Sequence, residues 1–185
     1  VDEADLIHRA RQGDEAAWEA LVAGHREAVF RLAYLLLGSA DDAEDIAQEA
    51  FIRSYRSLAR FDTVRPFRPW VLRIAANLAK NRRRAVGRYL GALRRAFAPE
   101  PESSAEAEST SAWEAHQLWQ AVRRLKADDQ EIIYLRYFLE LSVMEAADAL
   151  DVAPGTVKSR THRALGHLRA VMERDFPALV EERSG

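Results

Sequence analysis

The chain has no cysteine. This excludes a disulfide framework and any thiolate zinc site, and it fits a reducing compartment. No apolar run reaches membrane-spanning length. The opening stretch, VDEADLIHRA, is charged where a signal peptide would be apolar. Chemistry-bearing patterns are missing as well: there is no glycine-rich phosphate loop and no nucleophile motif. Of the histidines, His8, His25, His116, His162 and His167, only the last two stand close together, and no Asp or Glu lies near that pair in sequence. The expectation is a cytoplasmic protein with no enzymatic activity, no cofactor, no metal and no membrane insertion.

Hydrophobic residues make up 48% of the 185 and charged residues 30%, enough to bury a core and stay in solution. Net charge is −2, which by itself argues against a nucleic-acid partner. The distribution argues the other way. Residues 63–98 hold ten Lys or Arg and no acid, whereas residues 1–62 hold thirteen acids against seven bases. Opposite blocks of this kind point to two partners of opposite charge. The plain alternative for the basic block alone is a solvated helix face.

Nearly everything reads as helix. Leu6, Ile7, Ala10, Ala17, Trp18, Leu21 and Val22 form a helical stripe over residues 5–23, broken by Gly13. A second helix is expected from about His25 to Leu37, stopped by Gly38. Ser39 or Asp41 caps a third, with Asp42, Glu44 and Asp45 in its first turn, where carboxylates complement the helix dipole. Its apolar face is Ala43, Ile46, Ala47, Ala50, Phe51 and Leu58. Two prolines make residues 60–69 a loop. A fourth helix follows from Trp70 to near Arg84 or Arg95, with Val71, Ile74, Ala75, Leu78 and Ala79 inward. Residues 98–111, APEPESSAEAESTS, are small, acidic and aperiodic. The fold class is therefore all-α: two small helical domains, residues 1–96 and 113–185, joined by a flexible acidic linker at 97–112.

In the second domain, Asp128 followed by Glu131 marks a helix start. Ser142 followed by Glu145 is a capping box, with Leu141 placed as a hydrophobic staple; Ala146, Ala147 and Leu150 line the inner face. A turn at residues 151–153 leads to Pro154, which suits a first helical position because the N–H it lacks has no partner there. Short helix, tight turn, longer helix is a helix-turn-helix. On the longer helix Thr156, Lys158, Ser159, Arg160, His162 and Arg163 are polar, while Val157, Ala164, Leu165 and Leu168 can pack inward. Arg bonds guanine bidentately, Ser and Thr reach bases or phosphates, and Lys supplies a point charge. The plain alternative is an amphipathic surface helix; the cap and the proline start favour DNA contact.

The basic block RPFRPWVLRIAANLAKNRRR interleaves Phe67 and Trp70 with Arg65, Arg68, Arg73, Lys80, Arg82, Arg83 and Arg84. Aromatics stack on unpaired bases while cations track phosphates, a combination that single-stranded or melting DNA uses. Taken alone, Trp70 is more simply a core residue.

The segments DAEDIAQEAFIRSYRSL, FRPWVLRIAANLAKNRRR and LRYFLELSVMEAADALDVAPGTVKSRTHRAL, in that order and spacing, resemble the extracytoplasmic-function (ECF) group of the primary sigma family. The resemblance covers roughly residues 5–174. It implies a bacterial sigma factor that binds the clamp and flap of core RNA polymerase and directs promoter-specific transcription initiation. Asp45, Gln48, Glu49, Phe51, Ile52 and Arg53 would fall on the clamp-binding helix. On physical grounds an acidic, amide-bearing helix with an exposed aromatic suits a basic coiled-coil partner. Phe51 and Ile52 stand about 100° apart on that helix and do not both point inward.

The resemblance assigns the minus-10 promoter element to Arg65, Phe67, Arg68, Trp70, Arg73, Asn77, Lys80, Asn81 and Arg84, with the loop at 60–68 capturing a flipped base. It assigns the minus-35 element to Thr156, Lys158, Ser159, Arg160, His162 and Arg163. The acidic linker would thread toward the polymerase active-site channel as a displaceable mimic of RNA. An anti-sigma factor is implied as regulator, and no regulatory domain is expected after Phe176. Three positions depart from the family pattern. Asn81 stands where aspartate is frequent, Asp151 replaces a glycine in the turn, and Ala153 replaces a serine cap, which weakens that helix start by roughly 1 kcal/mol. The rival reading is a stand-alone helix-turn-helix regulator of duplex DNA, which leaves the acidic helix and the basic block without a task.

Overall fold

A computed structural model describes the backbone of residues 2–94 and 110–177. The acidic segment read as a linker lies almost wholly outside these residues. Within them every regular element is helical. Helices α1 (Glu3–Arg11), α2 (Glu15–Leu37), α3 (Ala40–Ser57) and α4 (Phe67–Arg94) form a first bundle. Helices α5 (Thr110–Arg123), α6 (Ala127–Ile133), α7 (Val143–Leu150) and α8 (Pro154–Asp175) form a second. No helix among the described residues is long and apolar enough to cross a membrane.

Local chemistry sets the boundaries. The Asp14 carboxylate accepts the Ala17 N–H at 3.1 Å, and Gly13 turns the chain at φ +89°, so α1 ends and α2 starts here. From Asp14 the helix runs unbroken to Gly38, whose φ of +75° provides a left-handed C-cap. The break expected between residues 23 and 25 is absent. Gly24 sits inside α2 at a cost of about 1 kcal/mol relative to Ala; the buried contacts of Leu21, Val29, Leu32, Ala33 and Leu36 outweigh it. Ser39, not Asp41, caps α3 by accepting the Asp42 N–H. Helix α4 starts at Phe67, three residues before the expected Trp70. Pro69 falls in its first turn, where a missing N–H breaks no helical bond.

The first core joins Val29, Leu32 and Ala33 of α2 to Ala43, Ala47 and Ala50 of α3 and to Val71, Leu72, Ala75 and Ala79 of α4. Its lower end is aromatic. Phe67 lies 6.4, 5.8 and 5.4 Å from the ring centroids of Trp18, Phe61 and Trp70. Such edge-on pairs add about 0.5–1.5 kcal/mol each beyond the area they bury. The Arg11 guanidinium donates to the carbonyls of Leu58 (3.0 Å) and Phe61, pinning the 3-10 turn Leu58–Arg60 against α1.

In the second bundle α6 passes directly into a π-helical turn, Tyr134–Phe138. The capping box is formed in both directions: Ser142 Oγ accepts the Glu145 N–H at 3.1 Å, and Glu145 Oε2 accepts the Ser142 N–H at 2.8 Å. Leu141 beside it is fully buried. Asp151 closes α7 in the left-handed region at φ 55°, a conformation that glycine takes most easily and Asp tolerates better than most residues. Ala149 rather than Leu150 is fully inward, and Leu165 is exposed on α8 instead of packing.

Glu3 ties three helices together. Its Oε1 accepts from His25 Nε2 at 2.8 Å and its Oε2 from the Phe67 N–H at 3.1 Å. The hydrogen bond from His25, and then that from Phe67, hold the carboxyl below its ordinary value against the opposing effect of burial. The ionised form is thus favoured by folding. Its contribution is fully present above the unfolded carboxyl value of about 4.3 and is lost as pH falls through the lower folded value. Glu3→Gln is expected to lower first-bundle stability at neutral pH and to flatten the acid-side decline, read by urea denaturation between pH 3 and 7. An unchanged acid limb counts against this assignment.

Candidate nucleic-acid and protein interfaces

Helix α8 presents the first surface. Val157 and Ala164 are fully buried against the bundle. Lys158 and Ser159, just after Val157, and His162 and Arg163, just before Ala164, are exposed, while Thr156 and Arg160 are half-buried beside them. Pro154 opens the helix, and Ala153 gives it no side-chain cap. Ser159 Oγ and Thr161 Oγ1 donate to the carbonyls of Thr156 and Val157, so their hydroxyls are held along the helix. His167 Nδ1 meets Asp129 at 2.8 Å and anchors α8 to α6 away from the exposed face. The result is a row of donors near a helix start, the geometry with which a helix-turn-helix enters a major groove.

The second surface is the basic face of α4 and the loop before it. Arg73, Asn77, Lys80, Asn81 and Arg84 recur at helical spacing on one side, opposite the buried Leu72, Ala75, Ala76 and Ala79. Phe67, expected among the DNA contacts, is fully buried at the centre of the aromatic cluster and has no surface to offer a base. Trp70 is half-buried. It lines a small polar cleft with Phe61, Asp62, Arg65, Pro66 and Arg73. Arg82 leaves this face and pairs with Asp42 at the start of α3.

A third surface lies between α2 and α3. Trp18, Val22, Ala47, Gln48, Ile52 and Tyr55 line a groove of about 540 Å³. Arg26 and Glu44, paired at 2.6 Å, close one end. Glu49 and Arg53, also paired at 2.6 Å, stand on the outer side of α3 with Asp45. The expected exposed aromatic is not Phe51, which is 7% exposed and packs edge-on against Trp18. It is Tyr55, at 47%, together with Ile52 at 38%. Sequence reasoning missed Trp18, Val22 and Tyr55 as surface. The available signal was spacing: Gln48, Ile52 and Tyr55 follow one another at four and three residues, on the side of α3 away from Ala43, Ala47 and Ala50.

Two helical bundles, one with a helix-turn-helix and the other with a basic helical face and a separate apolar groove rimmed by Arg26, Glu44 and Arg56, fit a DNA-binding protein that works with a protein partner. Comparison with known proteins gives the family. Residues 21–89 match sigma-70 region 2 and residues 115–168 match sigma-70 region 4. The ECF RNA polymerase sigma factor SigW of Bacillus subtilis is 33% identical over 180 residues, covering 88% of this chain and 92% of SigW. The RNA polymerase sigma factor NccH of Alcaligenes xylosoxydans is 35% identical over 178 residues, covering 94% and 95%. The fold is that of CnrH in complex with the cytosolic domain of CnrY, with TM-score 0.70 and 24% identity over 94% of this chain and 98% of CnrH. It is also that of the sigma factor RpoE bound to the anti-sigma factor NepR from Bartonella quintana, with TM-score 0.64 and 24% identity over 85% and 97%.

The chain belongs to the ECF family of RNA polymerase sigma factors. It is a transcription initiation factor that binds core RNA polymerase and directs it to promoters.

The uncapped start of α8 is a local weakness in the second helix of the helix-turn-helix. Ala153→Ser places a hydroxyl where the N–H groups of the first turn lack partners, and is expected to stabilise the protein by about 1 kcal/mol. Chemical denaturation measures it. No gain, or a loss, rejects this account of the helix start.

Proposed function

We propose that each surface serves one partner. The first domain, residues 1–96, docks on the polymerase clamp through Asp45, Gln48, Glu49, Ile52 and Arg53, with Tyr55 and Trp18 supplying the apolar floor. The observation that carries this reading is the groove between α2 and α3: apolar side chains at 38–47% exposure, ringed by charge, on an otherwise well-buried helix pair. Aromatic anchors in partly desolvated grooves concentrate binding energy. The clamp's basic coiled coil is the complementary partner for the acids of α3.

The minus-10 element is met by Arg65, Arg68, Trp70, Arg73, Asn77, Lys80, Asn81 and Arg84. The minus-35 element is met by Thr156, Lys158, Ser159, Arg160, His162 and Arg163 in the domain at 113–185, which also meets the polymerase flap. The acidic segment at 97–112 follows the path of nascent RNA. The protein acts in the cytoplasm and catalyses nothing itself. An anti-sigma factor, the kind of partner seated on the similarly folded RpoE, covers the groove until release.

Reconstitution with core RNA polymerase from a related bacterium tests this. Tight binding and new, discrete transcripts from genomic fragments are expected. Specific duplex binding by the protein alone, without binding to core enzyme, would replace the reading with a stand-alone regulator. Tyr55→Ala is expected to weaken core binding by about 2 kcal/mol, roughly thirty-fold, without altering upstream DNA preference. Arg163→Ala is expected to do the reverse. It should cost about 1–3 kcal/mol at the upstream element and relax base preference there, as footprinting and run-off transcription measure.

A further inference from the structure

Helix α1 touches both ends of the loop that leads into α4. At the first end the Arg11 guanidinium reaches two carbonyls at once, Nε to Leu58 at 3.0 Å and Nη2 to Phe61. At the second end Glu3 Oε2 accepts the Phe67 N–H at 3.1 Å. That N–H opens α4 and has no partner inside the helix. The preceding position, which ordinarily supplies the cap, is Pro66, whose side chain has no acceptor. Glu3 supplies the cap from another helix. His25, bonded to its other oxygen at 2.8 Å, keeps the carboxylate turned toward Phe67.

Between these ends the chain closes only on itself. The Asp62 carboxylate accepts the Val64 N–H at 3.1 Å, and the Asp62 carbonyl accepts the Arg65 N–H at 3.0 Å. Val64 at the tip is 91% exposed, so no burial holds the tip in place. The buried rings of Phe61 and Phe67 fix where the ends sit. The hydrogen bonds to their backbone fix the direction in which the chain leaves them. Glu3 and Arg11 are the first and last residues of α1, about 12 Å apart along its axis. Ile7 and Ala10 between them are buried in the core. Helix α1 is thus a bar seated on the bundle by one face and holding the loop at two points. It precedes the residues, 21–89, that match sigma-70 region 2.

We infer that α1 is a clasp that presets the loop for base selection at the minus-10 element, with Arg11 and Glu3 as its positioning residues. The inference rests on the minus-10 role proposed for Arg65 and Trp70 and adds what holds them in register. The loop and the start of α4 form a cleft of about 220 Å³ to which Arg60, Asp62, Arg65, Pro66 and Trp70 contribute. A cleft half made of loop selects a base only if the loop keeps one shape. Fixing that shape beforehand spares the binding step the loss of backbone freedom. A wrong base then meets a wall that does not yield.

The test uses holoenzyme reconstituted from the full chain and core RNA polymerase of a related bacterium. Its DNA is a set of fork junctions, duplex upstream and single-stranded over the minus-10 segment, carrying each of the four bases in turn at each unpaired position. Arg11→Met keeps the apolar stem and removes both donors, and because Arg11 is exposed it opens no cavity in the core. Discrimination at the captured position is expected to fall about ten-fold, with preferences elsewhere and binding to minus-35 duplex unchanged. Glu3→Ala is expected to act in the same way, which keeps the test open should one variant fail to fold. Glu3→Gln retains an oxygen for the Phe67 N–H and is expected to retain discrimination while losing stability, a split that a merely structural role does not give. Parental discrimination in both Arg11→Met and Glu3→Ala overturns the clasp, as does an equal loss of affinity for every DNA in the set. If Arg65→Ala relaxes the preference and Arg11→Met does not, the clasp alone falls. A parent protein with no base preference at any unpaired position sinks the minus-10 reading and the clasp with it.

Discussion

A carboxylate withdrawn from water must be matched by a positive charge or be protonated, and for Glu131 the charge comes from the other bundle. Burial holds its carboxyl above the ordinary value, and Lys80 at 2.6 Å opposes this only in part. Removing one partner from such a pair costs on the order of 3–5 kcal/mol, because the other is left buried and unpaired. The relation of the two bundles follows from this requirement. With Lys80 fixed on α6, α4 must lie along the second bundle. Arg73 then reaches Asp151, and Arg68 the carbonyl of Leu139.

The α4 cations that meet the second bundle include Arg73 and Lys80, both among those proposed to contact DNA. Cations that suit a phosphate track also suit a row of carboxylates and carbonyls, since both offer oxygen acceptors to long, flexible donors. The groove between α2 and α3 lies apart from these contacts. Its lining residues come only from α2 and α3. The aromatic cluster around Phe67 provides the rigid footing. It joins the loop before α4 to α2 and α3.

Much of this was legible in the chain. The capping box at Ser142 and Glu145, the proline start at Pro154 and the left-handed Asp151 each depend on a few neighbouring residues, and local chemistry suffices to place them. The polar row on α8 followed from spacing. Other points required tertiary information. The pattern divides residues 5–23 from a helix starting near His25, yet the core on both sides of Gly24 holds α2 continuous. Pro69 looked like loop because the first turn of α4 was not visible without Glu3, which arrives from 64 residues away to accept the Phe67 N–H. Phe67 and Phe51 looked like contact residues because an aromatic among charges has no inherent direction. Packing against Trp18 turned both inward and left Tyr55 outside.

The sequence by itself determined the helical class, the division into two bundles, the helix-turn-helix and the family, because these depend on periodicity, caps and the order of motifs along the chain. The tertiary structure decided which of two neighbouring apolar residues faces a partner and which acid balances which base. Charge along a chain states how many ions must be neutralised. Only the fold, by burying Glu131 beside Lys80, selects the pairs.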